Sequence, residues 1–186
     1  MPMDNIKNNP KILFIPGWLD TGERNGFQNS LDIWNKKIDI NHDFKVDYVV
    51  AHSVGSLVAL SNWQKYQNFK IILVNPVIEQ KGSFRHWVQF MRCEGVPGLF
   101  IKAMKPSKLI LSFFKILKFF KTPACEIIDF IPPSDLLVFY GEKDKYLFNH
   151  DLIKFFKEKG FRATEVKGAG HNYDSIINKE VLKEIH

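Results

Sequence analysis

The sequence predicts an α/β fold, a mostly parallel sheet of about five to six strands with helices on both faces. Three observations predict it. KILFIP, VDYVVAH, KIILVN and LLVFY are short, nearly continuous apolar runs, the second rich in β-branched residues, the pattern of strands buried on both sides. Helical stripes lie between several of these runs, which gives successive strands the crossovers that parallel pairing needs. Proline or glycine stops the first, third and fourth runs abruptly.

In chain order, Lys11–Pro16 is the first strand, stopped by Pro16-Gly17. Phe27, Leu31, Trp34 and Ile38 recur at helical spacing and predict a helix over about 23–37. Val46–His52 is the second strand, and Leu57, Val58, Leu60 and Trp63 form the apolar stripe of a helix over 55–66. Lys70–Asn75 is the third strand, ended by Pro76, and Leu136–Tyr140 is the fourth, ended by Gly141. Leu152, Phe155 and Phe156 mark a helix closed by Gly160. Phe161–Val166 is a weaker strand before KGAGHN, and Ile177, Val181 and Ile185 mark the last helix. Residues 82–121 break the alternation, with Gly82, Pro97-Gly98 and Pro106 punctuating short helical patterns. They read as a helical cap or lid inserted after the third strand, within a single domain spanning 1–186.

A chain of 186 residues with 45% hydrophobic content is long enough for one sizeable core. Its 17 Phe, 5 Tyr and 4 Trp exclude the disordered class. MPMDNIKNNPKILF has neither the apolar region nor the small-residue cleavage site of a secretory signal. No uncharged apolar run approaches the roughly 20 residues of a spanning helix. Cys93 and Cys125 stand at no metal or redox spacing, and a reduced, cytoplasmic setting fits. His42, His86, His150 and His186 show no ligand spacing, so neither a metal nor another cofactor is expected. The net charge of +6 is unevenly placed: residues 81–121 hold nine basic residues and one acidic residue, Glu94.

The chemistry starts at AHSVG, where a strand turns at once into a helix. Such a bend is tight, and bulky side chains two positions to either side of its tip would strike neighbouring backbone. Ala51 and Gly55 remove that collision and leave Ser53 at the tip, its hydroxyl aimed beyond the carboxyl edge of the sheet. The N–H of Val54 then lies at a helix start, where developing negative charge is favoured. This is the G-x-S-x-G elbow with Ala in place of the first glycine. An ordinary N-cap serine is the other reading. A serine nucleophile needs a neutral imidazole to take its proton and a carboxylate to hold that imidazole. Asp144 follows the fourth strand in FYGEKDKY, with Glu142 as the rival acid. His171 follows the fifth strand in VKGAGHNY, where it could instead cap the turn or the next helix. His52, beside the serine, reads as structural.

With PGW, AHSVG, GEKD and GAGHN in this order, the sequence resembles the α/β-hydrolase superfamily of serine hydrolases, over most of the chain. The resemblance implies a minimal α/β-hydrolase fold, with Ser53 as nucleophile, His171 as general base and then acid, and Asp144 as its orienting carboxylate. It also implies an oxyanion hole from the N–H groups of Val54 and Trp18, although Pro16-Gly17-Trp18 replaces the His-Gly-x of many relatives. The 27 residues between Trp18 and Val46 are too few for the usual helix, strand and helix, so an edge strand is absent or reduced to a stretch near Ile38–Ile40.

The reaction implied is cleavage of a small-molecule ester or thioester through an acyl-serine. Activity should fall as the medium becomes acidic enough to protonate His171. Within the cap, Leu109, Phe113, Ile116, Leu117 and Phe120 share one helical face, opposite Lys108, Lys115 and Lys118. That face either packs on the core or roofs an acyl chain. On the second reading Trp18, Trp87, Phe113 and Leu117 bind a hydrophobic substrate, and the lysines meet an anionic carrier, head group or membrane surface. No nucleic-acid recognition motif is present. Two alternatives remain open: a catalytically silent binding protein of the same fold, and a peripheral membrane protein using the basic aromatic cap.

Overall fold

Among the described residues, five strands lie side by side in chain order, every neighbouring pair parallel. The computed structural model describes residues 10–17, 27, 46–63, 69–78, 114, 123–144 and 150–185. The strands are β1 (Ile12–Ile15), β2 (Tyr48–His52), β3 (Lys70–Val74), β4 (Leu136–Gly141) and β5 (Arg162–Val166). The helices are α1 (Gly55–Ser61), α2 (Ala124–Ile128), α3 (His150–Glu158) and α4 (Ser175–Ile185). Ile15 lies opposite Ala51, Ala51 opposite Leu73, and Leu73 opposite Val138, so the register brings the carboxyl ends of β1 to β4 to one edge.

Each crossover from β2 to β5 steps to the next place in the same direction. Right-handed crossovers therefore put the intervening helices on one face. Accordingly, Leu57 and Val58 of α1, Ala124 and Ile128 of α2, and Leu152 and Phe156 of α3 bury against Ala51, Leu73 and Val138. The alternate strand residues Val50, Ile72, Val74 and Phe139 face the other way, onto Ile177, Val181 and Ile185 of α4. Phe27 packs on this second face, stacked on Phe14 with ring centroids 4.5 Å apart. Both faces of the sheet are covered, which is why its strands read as continuous apolar runs. β5, last in the order, is the exception: Arg162 is exposed and Val166 is its one fully buried residue.

Two differences from the sequence reading have local causes. α1 is described to Ser61 rather than 66, with Asn62 as its C-cap; the Asn62 side-chain amide donates to the Val58 carbonyl at 2.9 Å, a partner from outside the helical ladder. α2 was not anticipated, because its five residues span little more than one turn and bury only Ala124 and Ile128 fully. The expected helix over 23–37, the stretch near Ile38–Ile40 and the 82–121 insertion lie outside the described residues, apart from Phe27 and Phe114.

Candidate active site

β2 ends at His52 and α1 begins at Gly55, so two residues must turn the chain. Ser53 does this at φ +52°, in the left-handed region that costs a non-glycine residue about 1–3 kcal/mol. The surrounding backbone holds it there. Its N–H donates to the Val74 carbonyl at 2.9 Å, and its own carbonyl accepts the N–H groups of Ser56 at 3.0 Å and Val77 at 3.3 Å. A Cβ on Gly55 would lie 2.5 Å from the Ile15 carbonyl oxygen and 2.7 Å from that of Pro16, so this position must be glycine. The N-cap of α1 is Val54, with no side-chain cap bond. The Ser53 hydroxyl therefore does not cap α1.

That hydroxyl is 2.8 Å from Nε2 of His171, and Nδ1 of the same ring is 2.6 Å from Oδ2 of Asp144. The separations along the chain are 118 and 27 residues. Ser53, Asp144 and His171 are only 6%, 5% and 3% exposed. A carboxylate can only accept, so Nδ1 carries the proton and Nε2 offers its lone pair to the serine O–H. The arrangement can draw a proton from a hydroxyl and return it elsewhere.

The rival acid is differently engaged: Oε2 of Glu142 accepts the Gly168 N–H at 2.8 Å. α4 is capped by Asp174, whose Oδ1 accepts the N–H groups of Ile176 and Ile177, each at 2.9 Å. Neither the turn acid Glu142 nor a capping role competes for the His171 ring. The loops after β4 and β5 touch directly, since a Cβ on Gly141 would lie 2.3 Å from the Gly170 carbonyl oxygen. Val54, 1% exposed, follows the serine immediately. Trp18, Trp87, Phe113 and Leu117 lie outside the described residues. Among the described residues no group of three or more His, Cys, Asp or Glu could hold a metal, and no helix is long and apolar enough to cross a membrane.

No protein-family model matches the sequence, and no curated protein does. Solved structures do resemble the backbone. A carboxylesterase of the ammonia-oxidizing thaumarchaeon Nitrososphaera gargenis is similar at TM-score 0.55 and 11% identity, over 96% of this chain and 88% of that one. The thioesterase domain from the curacin biosynthetic pathway is similar at TM-score 0.56 and 15% identity, over 96% and 91%. An alpha/beta hydrolase enzyme from the metagenome of Mar Chica lagoon sediments in Morocco gives 0.58 and 11%, over 96% and 90%. The chain has an α/β-hydrolase fold. The α/β-hydrolase sheet described is small, five parallel strands, with Ser53, Asp144 and His171 on the loops that leave β2, β4 and β5 at one edge.

Two residues that the sequence did not assign to the site complete this edge of the α/β-hydrolase fold. Nε2 of His52 donates to the main-chain carbonyl of His171 at 2.8 Å. Burial pushes the pKa of His52 down to about 3, with the neighbouring His171 acting in the same direction, so its ring is neutral. Its ring lies against Tyr173, itself packed on Phe14. Asn75, fully buried just past β3, is also left-handed at φ +44°. Its Nδ2 donates to the carbonyls of Gly170 at 3.0 Å and His171 at 2.8 Å, and its Oδ1 accepts the Gly141 N–H at 2.8 Å. The only sequence signal was an asparagine closing an apolar strand, where a left-handed residue is tolerated.

Proposed function

We propose that this protein is a serine hydrolase that cleaves carboxylic ester or thioester bonds through an acyl-serine intermediate. The observation that supports this best is the buried chain from Asp144 through His171 to Ser53, with contacts of 2.6 and 2.8 Å. Ser53 Oγ attacks the carbonyl carbon while its proton passes to Nε2 of His171, and Asp144 stabilises the imidazolium. The oxyanion is held by the Val54 N–H and, as second donor, the Trp18 N–H; losing one such donor costs about 2.7–4 kcal/mol of transition-state stabilisation. The tetrahedral adduct collapses, the C–O or C–S bond breaks, and the leaving group takes the proton from His171. Water then attacks the acyl-serine while giving a proton to His171, and as the adduct collapses the acid leaves and His171 returns that proton to the departing Ser53 Oγ.

A hydrophobic acyl group suits the aromatic and aliphatic side chains of Trp18, Trp87, Phe113 and Leu117, with residues 82–121 as a cap and their lysines toward an anionic carrier, head group or membrane surface. The carboxylesterase and thioesterase among the similar structures support an ester or thioester substrate. A fluorophosphonate probe tests the reaction: it labels the wild type and leaves Ser53→Ala unlabelled. Labelling that is absent from the wild type, or unchanged in the variant, refutes the hydrolase. p-Nitrophenyl esters of increasing chain length then define the acyl preference, and rates on anionic thioesters that stay flat as salt rises would remove the role given to the lysines.

A further inference from the structure

We propose that Asn75 and His52 are positioning residues for the His171 imidazole: together they fix its main-chain carbonyl and so set the ring against Ser53 and Asp144. Residues 167–174 belong to neither strand nor helix, so regular secondary structure does not place this ring. Side chains and backbone at the ends of β2, β3 and β4 do so instead. Glu142 accepts the Gly168 N–H, the Lys143 N–H donates to the Ala169 carbonyl at 2.9 Å, and Asn75 donates to the Gly170 carbonyl. The His171 carbonyl takes two donors, from Asn75 and His52, each at 2.8 Å.

Asn75 has a particular place among these. Its one amide spans the two loops that must meet, holding Gly141, three residues before Asp144, with Oδ1 and the His171 segment with Nδ2. The orientation of the amide follows from chemistry, since only oxygen can face the Gly141 N–H and only nitrogen can face two carbonyls. The left-handed backbone of Asn75 is bonded through its own N–H to the Phe139 carbonyl at 2.8 Å, so the amide is anchored to β4 as well. His52 is just as constrained. A carbonyl only accepts, so Nε2 must carry the proton, and Gly17 closes on the other side of the ring, where a Cβ would lie 2.8 Å from Nδ1.

The kinetic consequence rests on the hydrolase reading above, because a displacement of about 1 Å at a reacting group can cost about 100-fold in rate. The experiment compares the full chain with Asn75→Ala, Asn75→Asp, His52→Leu and His52→Gln, well below the unfolding temperature of each. It reads kcat and KM on p-nitrophenyl acetate, the fluorophosphonate labelling rate, and the low-field proton resonance of His171 Nδ1–H on Asp144. Both Asn75 variants lower kcat and labelling by about 10- to 100-fold, with KM nearly unchanged and the resonance broadened or lost. The Asp variant sets an oxygen against two carbonyl oxygens. His52→Leu acts in the same direction, and His52→Gln, which keeps an N–H donor there, recovers most of the loss. Folded variants that keep the resonance and the wild-type kcat overturn the proposal, even if their unfolding temperature drops. If the Asn75 variants do not fold, the two His52 variants decide it on the same readouts. A wild type that never labels refutes the hydrolase alone, and the resonance across the variants still decides the positioning role.

Discussion

Acid should unfold this protein partly through His52, and the size of the effect can be worked from its burial. In the folded chain its pKa is lowered from 6.5 to about 3, whereas the unfolded chain protonates it at the ordinary value. Between those two values the unfolded state binds more protons, so stability falls as pH falls, by up to 1.36 kcal/mol per unit. Above the upper value the ring is neutral in both states and contributes no pH dependence. Across the whole window the loss is on the order of 5 kcal/mol, and about 3 kcal/mol has gone by pH 4. With a urea m-value of about 2 kcal/mol/M, that moves the midpoint by roughly 1.5 M. Urea unfolding at pH 7 and pH 4, followed by circular dichroism, should show the wild-type midpoint dropping roughly 1.5 M further than that of His52→Gln, which has no group to titrate. Parallel drops in the two proteins would refute the argument, since the burial of His52 would then carry no proton linkage.

Gly55→Ala sets a methyl group against two backbone oxygens that cannot rotate away, so it should destabilise by about 1–3 kcal/mol. For a chain of this length that is a fall of roughly 2–12 °C in Tm, and an unchanged Tm would contradict the close approach. Asp144→Asn should lower ester turnover by about 10⁴-fold while the chain still folds, because the amide favours the wrong tautomer of His171. Glu142→Gln, assayed on the same ester, should lose far less, since its contact is with the Gly168 N–H rather than the ring; a reversed order would exchange the roles of the two acids.

The strands were legible because a sheet covered on both faces leaves continuous apolar runs, and β1 to β4 announce themselves in ILFI, YVVAH, KIILV and LLVFYG. The bend at Ser53 was legible because it imposes a local requirement on Gly55, within five residues that can be read together. That Asp144 and His171 lie at the same edge was legible because each follows a strand, although only the folded chain shows which acid meets the ring: Asp144 contacts His171 and Glu142 the Gly168 N–H. Asn75 was not legible. Its amide has partners 66, 95 and 96 residues away, fixed by the register of three strands, and no local pattern encodes such a junction. α2 escaped because a single helical turn carries too little periodicity to register.

The hydrogen bond between Ser53 and His171 closes a stretch of 118 residues. Ordering so long a loop is entropically unfavourable until β3, β4 and β5 have docked in turn, and parallel strands of high contact order dock slowly. Partly folded forms with their helices in place would still lack the assembled bond network. On the proposed hydrolase reading, recovery of Ser53 labelling after dilution from denaturant should therefore lag behind recovery of helical signal, which makes that labelling a reporter of finished folding.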